Sequence, residues 1–276
     1  PGDYQFTLEH DGRTRTFRVH IPRSYRRGVP TPMVLALHGG GGDMDVMASK
    51  ERYGLVAKAD EAGFIVVFPN GVSRQASGRF ATWNAGSCCG VASLENVDDV
   101  GFLRAVVARM SDLATIDRGR VFSVGMSNGA MMSYRLACEA SDMIRGIMAV
   151  AGTDNTLACR PSRPVAVLHI HARDDDRVPF EGGAGVRRYE FTSVGDTIAK
   201  WIDLDHAAPA ARRLPTPAGA TCEIHAARPG RDSAPIQLCV TDTGGHSWPG
   251  GSKRRGQPPS QAIDADDVMW DFFSGL

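Results

Sequence analysis

A mostly parallel β-sheet with helices on both faces, the α/β class, is the fold this sequence predicts. Three observations carry that expectation. Continuous apolar runs at residues 32–37 and 64–68 read as strands buried on both sides, as in a parallel sheet. Stretches of helical periodicity alternate with such runs along the chain. The length, 276 residues, suits one large domain over residues 1–276 with a sizeable core.

Taken in order, residues 4–21 alternate apolar and polar about Asp11-Gly12 and read as a β-hairpin. The strand at 32–37 runs into His38-Gly39-Gly40-Gly41-Gly42-Asp43. A helix is expected over residues 45–62, with Gly63 as its stop signal. The next strand, 64–68, ends at Pro69-Asn70-Gly71. Residues 72–96 form a long irregular stretch holding Trp83 and the Cys88-Cys89 pair, and loops of this length are usually functional or stapled. Asp98 and Asp99 open a helix to about Leu113, where carboxylates suit the positive end of the helix dipole, so both read as structural. Strands are expected near residues 121–124, 144–151, 165–170, 222–226 and 236–241. Helices are expected at 194–204 and 264–273. Residues 207–220, rich in proline and alanine, read as a surface loop.

Charge narrows the function classes. Lys and Arg total 31 and Asp and Glu total 31, with no long basic stripe, so nothing points to a nucleic-acid partner. The short clusters Arg212-Arg213 and Lys253-Arg254-Arg255 read as solvated surface. No apolar run reaches the length of a membrane span. Six cysteines, with no Cys-x-x-Cys spacing, favour disulfides over a metal site and an exported protein, secreted or periplasmic. Cys222 and Cys239 flank two β-like segments and are expected to pair. Cys88 and Cys89 would then bridge to Cys138 and Cys159. The chain starts at Pro1 without an initiating methionine, so any signal segment is expected upstream.

The chemistry centres on Gly125-Met126-Ser127-Asn128-Gly129. A short apolar strand precedes this Gly-x-Ser-x-Gly run and a helical pattern follows it, the order a nucleophile elbow needs. The competing reading is an ordinary glycine-bounded turn. Serine attacks only when a base takes its proton, and His246, in the glycine-rich Thr243-Gly244-Gly245-His246-Ser247-Trp248-Pro249 loop after the last strand, is the expected base. His38 and His171 sit at strand ends near the same edge, where they would order loops. The base needs a carboxylate to hold its tautomer. Asp174, Asp175 and Asp176 follow the 165–170 strand, and spacing alone does not choose among them. The order serine, aspartate, histidine is that of α/β-hydrolases. The expected oxyanion donors are the backbone amides of Asn128 and, from the glycine loop, Gly40.

With these residues in hand, the chain resembles the secreted feruloyl and acetylxylan esterases and the polyhydroxybutyrate depolymerase-like esterases. The matching stretches are His38-Gly39-Gly40-Gly41-Gly42, Phe68-Pro69-Asn70-Gly71, Thr82-Trp83-Asn84, Val97-Asp98-Asp99-Val100-Gly101-Phe102, the elbow, and Gly245-His246-Ser247-Trp248-Pro249. The resemblance implies the α/β-hydrolase fold and a triad of Ser127, Asp175 and His246. It selects Asp175 because the family's His-Gly-x-x-Asp-x-x-Val-Pro pattern falls on His171, Ala172, Asp175, Val178 and Pro179, with alanine replacing the usual glycine. Ester hydrolysis through an acyl-enzyme follows, with neither metal nor organic cofactor. Trp83 and Trp248 are expected to wall the substrate cleft, with a tryptophan covering the core as the alternative reading of Trp83. The expected substrates are feruloyl or acetyl esters of plant polysaccharide or related small esters, with hydroxybutyrate polymer or oligomer as the alternative. A serine peptidase and a non-catalytic binding protein on the same fold are the remaining readings.

Overall fold

The computed structural model describes residues 1–253 and 255–276, so Arg254 of the Lys253-Arg254-Arg255 run lies outside the described residues. The chain starts with a hairpin, β1 (Gly2–His10) and β2 (Arg13–Ile21). Asp11 and Gly12 both take positive φ at its turn, as a two-residue hairpin loop requires. The central strands β3 (Thr31–Leu37), β4 (Ile65–Pro69), β5 (Ile116–Met126), β6 (Gly146–Val150) and β7 (Ala166–Ala172) follow. The short strands β8 (Gly183–Ala184) and β9 (Glu190–Phe191) form a separate two-stranded sheet. β10 (Arg212–Leu214), β11 (Ala220–His225) and β12 (Ile236–Thr241) complete the set.

The large sheet has the order β1-β2-β4-β3-β5-β6-β7-β12-β11-β10. Every pair from β4 through to β12 is parallel, while the strands at both edges are antiparallel. The carboxyl ends of β3, β5, β6, β7 and β12 therefore share one edge of the sheet, the edge at which open α/β sheets build ligand sites.

The α-helices among the described residues are α1 (Met44–Met47), α2 (Leu55–Ala62), α3 (Gly90–Leu94), α4 (Asp99–Leu113), α5 (Asn128–Glu139), α6 (Val194–Leu204) and α7 (Ala265–Ser274). Strand alternation divides the core in two. Met33, Leu35 and Leu37 point to the layer of α4, α5 and α6, with Phe102, Tyr134 and Trp201. Val34 and Ala36 point the other way, to α1, α2 and α7, with Met47, Leu55 and Phe273. Both faces are thus dry, which is why β3 reads as an unbroken apolar run. The α/β-hydrolase expectation holds.

Two expectations need correction. The single helix over 45–62 is two helices, because Gly54 adopts φ +74° and caps the start of α2 while residues 48–53 turn away. A helix cannot run through a left-handed residue. The cysteines also pair differently. Cys222 and Cys239 face each other in the β11–β12 ladder and are bonded as expected. Cys138, however, pairs with Cys159, and Cys88 pairs with its neighbour Cys89. The loop after β6 returns Cys159 to the end of α5, where its Cα lies 4.7 Å from that of Cys138, within disulfide reach.

Asp98 and Asp99 are structural, as expected. Asp98 caps α4 by accepting from the Gly101 amide at 2.9 Å. Asp99 is fully buried, takes the Arg15 guanidinium at 2.7 Å and accepts from the Asn84 amide at 2.8 Å, so it anchors the long 72–96 loop to the sheet.

Candidate active site

Ser127 sits between β5 and α5 with φ 55° and ψ −118°, a left-handed φ that a serine rarely adopts. Its neighbours explain how the chain tolerates this. A Cβ on Gly125 would overlap the Gly129 carbonyl, and one on Gly129 would overlap the Leu37 carbonyl. Gly152, just after β6, lies so close that a Cβ there would overlap the Ser127 carbonyl. The Ser127 amide is tied to the Val150 carbonyl at 2.8 Å. Three glycines and one hydrogen bond thus hold the strained turn against β3 and β6.

The glycine loop after β3 lies against that turn. A Cβ built on Gly39 would sit 3.5 Å from the Ser127 Cβ, and one on Gly40 3.5 Å from the Asn128 Cβ. The Gly41 and Gly42 amides are used on the Ala81 and Gly39 carbonyls, at 2.8 and 2.9 Å. Asn128 is the first residue of α5, and the helix's first backbone bond runs from Met131 to Ser127. Its own amide is therefore one of the orphan donors of a helix start. The two expected donor residues, Gly40 and Asn128, are brought side by side.

His38 sets the loop's shape. It is fully buried; Nε2 accepts from the Gly71 amide at 3.0 Å, so Nδ1 carries the proton and donates to the Gly39 carbonyl at 2.9 Å. Burial pushes its pKa down to about 4, which keeps the ring neutral across the physiological range.

Trp83 is a correction. It is fully buried rather than a cleft wall. Its indole N–H donates to the His38 carbonyl at 3.0 Å. Its backbone is clasped by the Asn128 side chain, which accepts from the Trp83 amide at 2.7 Å and donates to its carbonyl at 3.0 Å. Trp83 therefore locks the glycine loop to the elbow helix.

Across the edge, His246 Nδ1 meets Asp175 at 2.9 Å to Oδ2 and 3.2 Å to Oδ1. Asp175 is buried and also accepts from the Arg177 and Val178 amides, at 2.9 and 3.0 Å. Burial alone would raise its pKa, but hydrogen bonds from His171 and His246 hold it well below the usual carboxylate range. With Nδ1 donating to a carboxylate, Nε2 of His246 is left with its lone pair free to act as a base. Asp174, the alternative acid, is exposed; it accepts from the Gly245 amide at 2.8 Å and from the Gln257 side chain, and so pins the loop that carries His246.

Behind Asp175 runs a chain of buried rings that sequence reasoning saw only in part. His171 Nε2 donates to the Val178 carbonyl at 2.9 Å and lies 3.4 Å from Asp175. That leaves its Nδ1 to accept from His169 Nε2 at 3.0 Å, and His169 Nδ1 to accept from the Tyr134 hydroxyl at 2.7 Å. His169 and His171 share one face of β7 through the period of two, a signal available from spacing. Tyr134, from α5, had no such signal.

His246 and Trp248 line a cleft of about 470 Å³ together with Met126, the residue before Ser127. Trp248 is largely covered, its indole N–H donating to Asp266 at 3.2 Å and its ring meeting the edge of Tyr53 at 5.3 Å.

The sequence model of the esterase PHB depolymerase family matches residues 24–190, a stretch that holds the glycine loop, the elbow and Asp175. The chain belongs to this esterase family. It is 32% identical to the putative esterase NocK of Nocardia uniformis subsp. tsuyamanensis over 87% of this chain and 72% of that protein. To the probable feruloyl esterase C of Aspergillus niger it is 29% identical over 63% of this chain and 60% of that protein, so it spans about three-fifths of that relative's length. The acetyl xylan esterase from Aspergillus awamori shares the fold, with a TM-score of 0.67 at 13% identity over 99% of this chain and 100% of that one. The chain is accordingly a carboxylic ester hydrolase. Among the described residues, no helix of this esterase is long and apolar enough to cross a membrane.

Proposed function

We propose that this esterase cleaves esters through an acyl-enzyme on Ser127, with His246 as general base, Asp175 as its partner, and the Gly40 and Asn128 amides as oxyanion donors. One catalytic domain over residues 1–276 carries the reaction. The observation that supports it most is the Asp175–His246 hydrogen bond at 2.9 Å on the same sheet edge as the strained Ser127 turn.

In this reading His246 Nε2 takes the Ser127 proton as the hydroxyl oxygen attacks the ester carbonyl. Asp175 stabilises the imidazolium that forms. The negative charge on the carbonyl oxygen falls between the two backbone amides, and the bonds that tie the Trp83 segment to the His38 carbonyl and the Asn128 side chain support a preorganised pair of donors. His246 returns the proton to the leaving alcohol; water then enters, is deprotonated by the same ring, and frees the acid. The substrates proposed are feruloyl or acetyl esters of plant polysaccharide or related small esters, and hydroxybutyrate oligomers are the second reading. The Cys138–Cys159 and Cys222–Cys239 bridges support an extracytoplasmic location.

The test is Ser127→Ala against a p-nitrophenyl ester. The expected loss is at least about 10³-fold in kcat, and activity within tenfold of wild type would overturn the assignment.

A further inference from the structure

The cleft beside His246 is cationic. Arg52, Lys253 and Arg255 line it together with Met126, His246 and Trp248, and no acidic side chain lines it among the described residues. These cations come from opposite ends of the chain. The segment following α1 and the loop following His246 are stitched together there: Ser252 Oγ donates to the Glu51 carbonyl at 2.5 Å, and a Cβ on Gly251 would overlap the Arg52 carbonyl. Tyr53, the residue after Arg52, seats its ring against Trp248. Packing thus fixes the position of Arg52 beside the loop of Lys253 and Arg255.

Carboxylates near this loop are already engaged: Glu51 accepts from Ser49 Oγ at 3.0 Å, and Asp264 caps α7 by accepting from the Asp266 and Asp267 amides. Asp175 pairs with His246 Nδ1, and Asp174 takes the Gly245 amide and the Gln257 side chain. Asp266, under Trp248, has its pKa pushed up to about 8, by burial above all and by its neighbour Asp264, so it stays largely uncharged at neutral pH. Lys253 donates to the His246 carbonyl at 3.0 Å and so has one proton committed to the site loop. Arg52 and Arg255 form no ion pair among the described residues, and a guanidinium is the side chain best shaped to grip a carboxylate with two parallel bonds.

We infer that this cleft is an anion subsite and that the esterase prefers esters carrying a free carboxylate beyond the scissile bond, such as the acid end of a hydroxyalkanoate oligomer. The inference rests on the Ser127 reading, because it places the carboxylate relative to a carbonyl held over that serine. It names a substrate chemistry that net charge conceals, since a chain with balanced charges still focuses a local positive field in a cleft.

The test compares a hydroxybutyrate dimer having a free carboxylate with the methyl ester of the same dimer, in wild type and in Arg52→Gln/Arg255→Gln. The readout is the ratio of kcat/KM for the acid to that for its methyl ester. The ratio is expected to exceed about tenfold in wild type at low salt, to shrink at 0.5 M NaCl through screening, and to fall at least about tenfold in the double variant. Because each protein serves as its own control, a partly misfolded variant leaves the ratio interpretable. A wild-type ratio near one, or a ratio unchanged by the two substitutions, overturns the anion subsite. Those outcomes leave the esterase reading standing provided Ser127→Ala still abolishes turnover of the methyl ester; if it does not, the Ser127 reading itself fails.

Discussion

Ser127 holds a left-handed backbone at φ 55°, and the residues around it are chosen for what they leave out. Gly125, Gly129 and Gly152 each make room for a carbonyl that a methyl group would hit. Gly152→Ala is therefore expected to lower kcat at least tenfold by displacing the Ser127 backbone, with a smaller effect on KM, measured by steady-state ester hydrolysis. The two neighbouring aspartates separate by geometry in the same way. Asp175→Asn should cost about 10⁴-fold in kcat, because an amide no longer holds the Nδ1–H tautomer of His246. Asp174→Asn, at an exposed position that pins only the loop, should stay within about tenfold of wild type. Reversal of that ranking in kcat measurements would mean the acid has been misassigned. Spacing left these two equal because consecutive residues on a turn differ in direction, not in position, and direction is decided by the Arg177 and Val178 amides that draw Asp175 inward.

At the level of elements, the central strands were legible because each is covered on both faces and so writes itself as an apolar run. The glycine loop, elbow and His246 loop were legible because each ends such a strand at the same edge. What stayed hidden depended on contacts between distant segments. Trp83 reads as a cleft aromatic in a long loop, but the Asn128 side chain and the His38 carbonyl draw it fully into the core. Trp83→Ala should cost about 3–5 kcal/mol of stability and loosen the glycine loop, seen as a lowered denaturation midpoint together with reduced kcat. Cys222–Cys239 was legible from its two flanking strands, but the pairing of the other four cysteines was not, since the return of Cys159 to α5 depends on the path of the loop after β6. Cys138→Ser/Cys159→Ser should lower stability by about 3 kcal/mol on the chain-entropy model, while leaving the site's hydrogen bonds in place; chemical denaturation under non-reducing conditions measures it.

For the molecule as a whole, buried carboxyl groups make stability depend on pH in two opposite senses. Asp175 has its pKa lowered, so its contribution is present above about pH 4 and is lost as pH falls further. Asp205, fully buried at the end of α6 and accepting from the Val165 amide at 2.8 Å, has its pKa raised to about 8 by burial. Its contribution is complete below about pH 4 and is lost as pH rises through about 8, because the folded state binds the proton that the unfolded chain has released. Asp205→Asn keeps an oxygen for the Val165 amide and removes that titration. Its stability relative to wild type should therefore rise between pH 5 and pH 8, by about 1 kcal/mol per pH unit, and level off above, as read from denaturation midpoints; a difference independent of pH would mean Asp205 does not hold its proton.

The glycine loop, the elbow and the Asp175–His246 pair meet at one edge of the sheet, and the proposal that this edge works through Ser127 is open to direct chemical test. A fluorophosphonate should react once per chain, abolish ester hydrolysis in proportion to its incorporation, and leave its adduct on the peptide containing Ser127. An adduct elsewhere, or full ester hydrolysis after Ser127 is modified, would contradict the account.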